Sequence, residues 1–201
     1  MNIDAAFVRS AAGAGDLPQD SLGVIALVGR SNVGKSSLIN ALVRRRLART
    51  SGAPGKTRLG NLYRVVRGQA PPFYLVDLPG YGFAKRNRRE GPRDFDDIAR
   101  AVFARSPAAL LLVDARHPGL ESDAKAWVWL SQAASATGVV ATKIDKLSRA
   151  ERRRAMKTYE AVFEHPVLPF SADTGEGLDD LWKLIDRLLN NNNLRAGSKR
   201  R

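Results

Sequence analysis

The amino-acid sequence predicts an α/β fold in which a six-stranded, mostly parallel sheet carries helices on both faces. Short apolar runs alternate with helix-length amphipathic segments along most of the 201 residues, and this alternation is typical of a parallel sheet covered on both sides. A glycine-rich segment separates the first apolar run from the first amphipathic segment. The sequence has no run of about 18 apolar residues, the length that a membrane span needs.

Each element follows from its own pattern. The predicted strands are 22–28, 62–67, 73–77, 109–114, 138–142 and 166–170, and the predicted helices are 35–47, 94–105, 121–136, 148–163 and 177–190. The last helix has the clearest apolar stripe, with Leu178, Leu181 and Ile185 on one face. Trp127 and Trp129 lie about 200° apart around their helix. One of them should therefore be partly exposed or packed against a neighbouring helix.

The segment Gly29–Ser36 reads G-R-S-N-V-G-K-S and has the spacing of a phosphate-binding loop. It follows an apolar strand and opens a helix, so that backbone N–H groups and the positive helix end would face the same anion. Lys35 would place its charge on the phosphates, and the Ser36 hydroxyl would ligate Mg²⁺. An ordinary glycine-rich turn is the alternative, but the flanking strand and amphipathic helix favour a nucleotide site.

Two further motifs indicate a guanine nucleotide. Asp77-Leu78-Pro79-Gly80 ends another apolar strand, where the carboxylate can hold Mg²⁺ through water and the Gly80 N–H can contact a γ-phosphate. Thr142-Lys143-Ile144-Asp145 follows a third strand. The Asp145 carboxylate can accept two hydrogen bonds from the guanine edge, which adenine does not offer. The stem of Lys143 can pack over the base, and the backbone after the next strand, at Ser171-Ala172, can reach guanine O6.

These motifs, in this order, resemble the translation-factor-type GTPases and most closely the EngB family, also called YihA/YsxC. The resembling segments are Gly29–Leu42, Ala48–Ser51, Pro54–Thr57, Asp77–Ala84, Asp114–His117 and Ala141–Lys146. The run P-G-Y-G-F-A is the most family-specific of them. The resemblance implies a Ras-like P-loop GTPase fold, with an EngB-type G domain at 21–190 between a flexible N-terminal arm at 1–20 and a basic flexible C-terminal tail at 191–201.

The resemblance also implies function. Members hydrolyse GTP to GDP and act as nucleotide-dependent switches in large ribosomal subunit assembly, and the family is needed for normal cell division and septation. A cytoplasmic monomer that binds a large-subunit precursor through ribosomal RNA is therefore expected. The lack of cysteine fits a reducing compartment.

The resemblance further assigns Thr57 as the switch threonine that ligates Mg²⁺ in the GTP state. The segment Gly55–Leu59 would close over the nucleotide, although Arg58, Leu59 and Gly60 depart from the Gln and Thr more usual in the family. The predicted catalytic residues are Lys35, Thr57 and Gly80, and the predicted metal ligands are Ser36 and Thr57, with Asp77 through water. The predicted nucleotide-binding residues are Gly29, Arg30, Ser31, Asn32, Val33, Gly34, Lys35, Ser36, Ser37, Gly55, Lys56, Thr57, Arg58, Leu59, Asp77, Leu78, Pro79, Gly80, Thr142, Lys143, Ile144, Asp145, Phe170, Ser171 and Ala172.

Hydrolysis is expected to be slow without a partner. Tyr81 stands where Ras-like proteins place the glutamine that orients the attacking water, and a phenol cannot replace an amide there. In similar GTPases an asparagine at the place of Asn32 helps to hold K⁺ beside the phosphates. Stimulation by K⁺ is one interpretation of Asn32, and a bracing role within the loop is the other. His117 and His165 both precede proline and are interpreted as structural.

The charge indicates the kind of partner. The net charge of +13 and the isoelectric point near 10.7 favour a polyanion, although a basic solubility surface is the alternative. The basic clusters are Arg44–Arg46 with Arg49, Lys85–Arg93, Arg149–Lys157 and the C-terminal tail. Ribosomal RNA is the favoured partner. A membrane- or division-associated GTPase scaffold and a P-loop small-molecule kinase stay as alternative functions, the kinase being the less able to explain Tyr81 and Asp145.

Overall fold

The computed structural model describes residues 2–49, 59–81, 93–105 and 107–198, without the side chains of 93–96 and 192–198. Its strands are β1 (Ile3–Ala11), β2 (Gly23–Gly29), β3 (Gly60–Arg67), β4 (Phe73–Asp77), β5 (Ala108–Asp114), β6 (Ala136–Thr142) and β7 (Val167–Pro169). Its helices are α1 (Lys35–Val43), α2 (Arg93–Phe103), α3 (Glu121–Ala133), α4 (Arg149–Phe163) and α5 (Leu178–Ser198).

The strands form one sheet in the order β1-β3-β4-β2-β5-β6-β7. From β4 to β7 all neighbours run parallel, whereas β3 pairs antiparallel with β4 and β1 pairs antiparallel with β3. One buried cluster joins the sheet to α1 and α5, and a second joins its other face to α2, α3 and α4. The predicted α/β class, with a mainly parallel sheet between two helical layers, is confirmed.

The predicted number of six strands was too low, because the segment read as a flexible arm supplies a seventh. β1 pairs with β3 from Ile3↔Arg67 to Ala11↔Gly60, with a bulge between Phe7 and Arg9. Ala5 and Ala11 turn into the core. Alanine has low β propensity, so the sequence signal was weak, and pairing with the open edge of β3 decides the structure instead.

Four helices end elsewhere than predicted. α2 ends at Phe103 and not at residue 105, and α3 ends at Ala133 and not at residue 136, where β6 begins. α1 ends at Val43 and not at residue 47, because the Asn40 side chain accepts hydrogen bonds from the N–H groups of Leu47 and Ala48 and donates to the Ala48 carbonyl. α5 continues to Ser198 through the asparagine run predicted as a flexible tail. Asparagine costs only about 0.7 kcal/mol per residue relative to alanine in a helix and blocks no backbone hydrogen bond, so the helix is able to continue.

The two tryptophans of α3 lie as predicted. Trp127 packs against Phe163 of α4 and donates its indole N–H to the Phe163 carbonyl at 3.0 Å. Trp129 is 40% exposed and makes an edge contact with Phe103 of α2. None of the helices in the described ranges combines the length and the apolar character that crossing a membrane requires.

Candidate nucleotide-binding site

The predicted site segments meet at one edge of the sheet. The parallel strands β2, β4, β5, β6 and β7 all end there, and loops at the carboxyl ends of such strands form the crevice in which α/β proteins bind ligands. The glycine-rich loop follows β2, Asp77 ends β4, and Thr142 ends β6. The fold therefore gathers on one side the motifs that lie far apart in the sequence.

The loop between β2 and α1 has the backbone of a phosphate cradle. Asn32 and Gly34 have φ angles of 61° and 111°, in the region where glycine is favoured and asparagine is tolerated. Gly29 lies so close to β5 that a Cβ at this position would come within 2.8 Å of the Leu112 carbonyl oxygen. Lys35 turns back over the loop, with Nζ 3.4 Å from the Gly29 carbonyl oxygen. Burial lowers the pKa of Lys35 although Asp77 acts to raise it, so the loop holds a cation that an anion would stabilise.

Ser36 and Asp77 meet beside Lys35. The Ser36 hydroxyl donates to Asp77 Oδ2 at 3.2 Å, and Asp77 Oδ1 is buried without a hydrogen-bond partner among the described residues. Burial raises the pKa of Asp77, outweighing the effects of Lys35 and Ser36 that lower it. An unsatisfied carboxylate oxygen next to a hydroxyl is a hard-oxygen donor set, which is the kind that Mg²⁺ prefers. The residues present therefore fit this ion.

Gly80 and Tyr81 lie directly on the phosphate loop. Tyr81 N donates to the Gly29 carbonyl oxygen at 3.3 Å, and Ser31 N donates to the Tyr81 carbonyl oxygen at 3.4 Å. A Cβ at Gly80 would lie 2.5 Å from Ser31 N, a distance that no side chain tolerates. Glycine is thus required at position 80 by this close approach.

The guanine motif is bonded to the phosphate loop. The Thr142 hydroxyl lies 2.6 Å from the Val33 carbonyl oxygen and 3.0 Å from that of Val113. Lys143 Nζ donates to the Asn32 carbonyl oxygen at 2.6 Å. The two segments that would contact opposite ends of a nucleotide are therefore neighbours, as the predicted site requires.

Asp145 is held in place by its surroundings. Ser171 donates to Asp145 Oδ1 at 2.6 Å, and Lys146 Nζ lies 2.9 Å from Oδ2. Hydrogen bonds from Lys146 and from Ser171 lower the pKa of Asp145, so that it is an anion at neutral pH. The Ser171 hydroxyl also accepts the N–H groups of Asp173 and Thr174, and the turn after β7 thereby fixes the orientation of the carboxylate.

The structure adds one residue, Asp114, for which no role was predicted. Asp114, at the end of β5, accepts Lys143 Nζ at 2.8 Å and pairs with Arg116 at 2.8 Å. Burial acts to raise the pKa of Asp114, but the hydrogen bonds from Arg116 and Lys143 prevail and lower it. Asp114 thus fixes the lysine of the guanine motif. Its position after an apolar strand, like that of Asp77, was the available signal.

The remaining predicted site residues either make few contacts in the site or lie outside the described residues. Leu59 is described and 40% exposed, whereas Gly55, Lys56, Thr57 and Arg58, with the basic cluster at 85–92, lie outside the described residues. Phe170 is buried, and its carbonyl oxygen lies 3.4 Å from Ile144 N. His165 packs against Trp127, away from the residues gathered around Lys35 and Asp145.

Fold and motifs together define a P-loop GTPase with the Ras-like fold. A family model described as 50S ribosome-binding GTPase matches residues 24–143. The probable GTP-binding protein EngB of Pelotomaculum thermopropionicum is 42% identical and covers 92% of this chain and 94% of its own length. That of Thermotoga maritima is 39% identical over 94% of this chain and 98% of its own. The chain belongs to the EngB family of GTP-binding proteins and is a GTP-hydrolysing enzyme.

Solved structures show the same fold. Aquifex aeolicus Era bound to GDP·AlF4⁻ superposes with a TM-score of 0.74 at 26% identity, covering 84% of this chain and 57% of that one. A crystal structure of a probable GTP-binding protein EngB gives a TM-score of 0.65 at 25% identity, covering 84% of this chain and 99% of that one. The predicted family and enzymatic class are confirmed.

Proposed function

We propose that this GTPase is a nucleotide-dependent switch in the assembly of the large ribosomal subunit. In the GTP state it binds ribosomal RNA of a precursor particle, and hydrolysis to GDP releases it. The observation that carries the proposal is a basic face of α4, formed by Arg149, Arg153 and Lys157, on the helix that follows the guanine motif. The description of the matched family as 50S ribosome-binding supports the same partner. The structure of Era with 16S ribosomal RNA, which is an RNA of the small subunit, supports ribosomal RNA only as a class of ligand.

The basic face of α4 is free for a partner. Arg149, Arg153 and Lys157 are exposed and form no ion pair with any described residue, whereas the inner face of α4 buries Tyr159 and Phe163. Arg152 does not belong to this face, because it pairs with Glu176. Three unpaired cations at i, i+4 and i+8 fit a phosphate backbone, which attracts them without regard to base sequence.

The nucleotide chemistry follows from the site. Lys35 and the loop N–H groups bind the β- and γ-phosphates, and the Gly80 N–H contacts the γ-phosphate. The Asp145 carboxylate selects guanine because it accepts hydrogen bonds from two N–H groups of that base. Ser36 and Thr57 would ligate Mg²⁺, with Asp77 acting through water. The bound ion would neutralise charge on the phosphate oxygens.

One measurement decides between the two interpretations of Asn32, which are a role in binding K⁺ and a role in bracing the phosphate loop. Tyr81 is bonded to α3 through its hydroxyl, which fits the expectation of slow intrinsic hydrolysis. Asn32 is exposed on the phosphate loop, where it can help to hold K⁺ beside the phosphates. Single-turnover hydrolysis in KCl should then exceed that in NaCl. Equal rates would leave Asn32 a bracing residue only.

Cosedimentation tests the proposed partner. Purified large-subunit precursors should retain the protein with a non-hydrolysable GTP analogue and release it with GDP. Log affinity falls linearly with log salt concentration, and in Arg149→Ala/Arg153→Ala this negative slope should become less steep by about 2, one unit for each lost phosphate contact. Lys125→Ala/Lys183→Ala is the matched control, because these exposed lysines already pair with Glu121 and Asp180.

The alternatives give different results. A membrane- or division-associated scaffold would float with acidic vesicles in place of sedimenting with particles, and a small-molecule kinase would bind neither. Retention that is equal with GTP analogue and GDP would refute the switch. The same proposal makes the protein a cytoplasmic monomer, and its loss should disturb cell division and septation.

A further inference from the structure

A buried polar pair lies beneath the phosphate loop. The Tyr81 hydroxyl donates to Asp123 Oδ1 at 2.9 Å, and Asp123, in the first turn of α3, is 1% exposed. Asp123 Oδ2 is buried and has no hydrogen-bond partner among the described residues. A carboxylate in such a place is costly to bury, and a well-packed apolar pair would be at least as stable. Stability alone therefore does not account for this pair.

The pair lies one residue from the proposed γ-phosphate contact. The backbone of Tyr81 pairs in parallel with Arg30 of the phosphate loop, and Gly80 approaches Ser31 too closely for any side chain. Since Gly80 and Tyr81 share a peptide bond, an anchor on the Tyr81 ring restricts where the Gly80 N–H can point. Asp123 is that anchor, and it is carried by α3, an element outside the three motifs.

We propose that Asp123 is a positioning residue for recognition of the γ-phosphate. By holding the Tyr81 hydroxyl, it fixes the Gly80 N–H against the phosphate loop in the orientation that the γ-phosphate requires. This inference rests on the proposed contact of Gly80 with that phosphate. It also gives a role to the tyrosine that stands in the place of the glutamine of Ras-like proteins: Tyr81 anchors the segment and does not orient water.

The decisive variant is Tyr81→Phe/Asp123→Leu. Replacing both partners by apolar groups of similar shape leaves no unpaired buried atom, so that the free energy of unfolding should stay close to that of the wild type. Affinity for a fluorescent non-hydrolysable GTP analogue should nevertheless fall roughly tenfold, as is typical of coupling between sites. Affinity for fluorescent GDP should change less than about twofold, because GDP has no γ-phosphate for Gly80 to contact.

Three further variants complete the test. Asp123→Asn keeps an acceptor oxygen for Tyr81 and should restore most of the affinity for the GTP analogue. Ser131→Ala, at an exposed position of α3, should behave as wild type. Gly80→Ala keeps the backbone N–H, but its Cβ would clash with Ser31 and displace that N–H, so the ratio of affinities for the GTP analogue and for GDP should fall to about one.

The outcomes separate the two claims. Wild-type binding of the GTP analogue by Tyr81→Phe/Asp123→Leu, together with a loss in Gly80→Ala, overturns the role of Asp123 and leaves the proposed function standing. An equal loss for both nucleotides in the double variant also overturns it, since that pattern reports a structural role. An unchanged preference in Gly80→Ala overturns the proposed γ-phosphate contact.

Discussion

Replacing Thr142 by valine should remove the hydrogen bond that ties the phosphate loop to the guanine motif. Thr142 is 3% exposed, and its single hydroxyl proton lies between the carbonyl oxygens of Val33 at 2.6 Å and Val113 at 3.0 Å. The shorter contact indicates that Val33 is the main acceptor. Valine keeps the shape of threonine but cannot donate, so the Val33 carbonyl would lose this hydrogen bond inside the protein.

The expected magnitude follows from burial. A buried carbonyl left without a partner costs about 1–3 kcal/mol, and the free energy of unfolding of Thr142→Val should fall by that amount. Affinity for GDP should fall about tenfold, because the loop that carries the phosphate-binding N–H groups is no longer tied to β6 and 1.4 kcal/mol corresponds to a factor of ten. Thr142→Ser keeps the hydroxyl and loses only the methyl group. It should therefore lose about 1 kcal/mol of stability while keeping its affinity for GDP.

Urea unfolding and titration with fluorescent GDP measure the two effects. Equal slopes of free energy against urea concentration would show that the comparison is between folded states of the same compactness. The reasoning fails if Thr142→Val keeps wild-type affinity, or if the serine variant loses as much affinity as the valine variant.

Three more predictions follow from the site and the core. Asp145→Asn should shift the preference from GTP towards xanthosine triphosphate, whose C2 carbonyl accepts the new amide N–H, and competition binding measures the shift. The pKa of Asp114 is lowered in the folded state, so its contribution to stability is present above about pH 4 and is lost as the pH falls below that value. Acid titration of unfolding should therefore be shallower in Asp114→Asn. Burial raises the pKa of all four tyrosines, that of Tyr63 to about 12, so their protonated forms stabilise the fold below about pH 10 and stability is lost as the pH rises above it. Tyrosinate absorbance at 295 nm should then appear together with unfolding, and an early separate phase would contradict the burial.

Much of this site is local in sequence and was predicted for that reason. The loop before Lys35 is a continuous run whose glycines and lysine have fixed spacing, and Asp77 and Asp145 each follow an apolar strand. Parallel strands bring such ends to one edge whatever the details of packing. The relative placement of these motifs could therefore be predicted before any contact was known.

The missed features depend on partners distant in sequence. The Tyr81–Asp123 bond joins residues 42 positions apart, and nothing around Asp123 in the sequence distinguishes it from an acidic residue in the first turn of an exposed helix. β1 forms because β3 offers an open edge, although its alanines favour helix over strand. In both cases tertiary contact overrides the local pattern.

The hydrogen bond between Thr142 and Val33 also sets an order of events during synthesis. The two residues are 109 positions apart, and ribosomes add about 5–20 residues per second. For roughly 5 to 20 s, the nascent chain therefore carries a phosphate loop whose tie to β6 has not yet been made. Tight nucleotide binding should thus begin only after β6 has emerged from the ribosome. The GTPase therefore cannot act as a switch until most of its own chain has been synthesised.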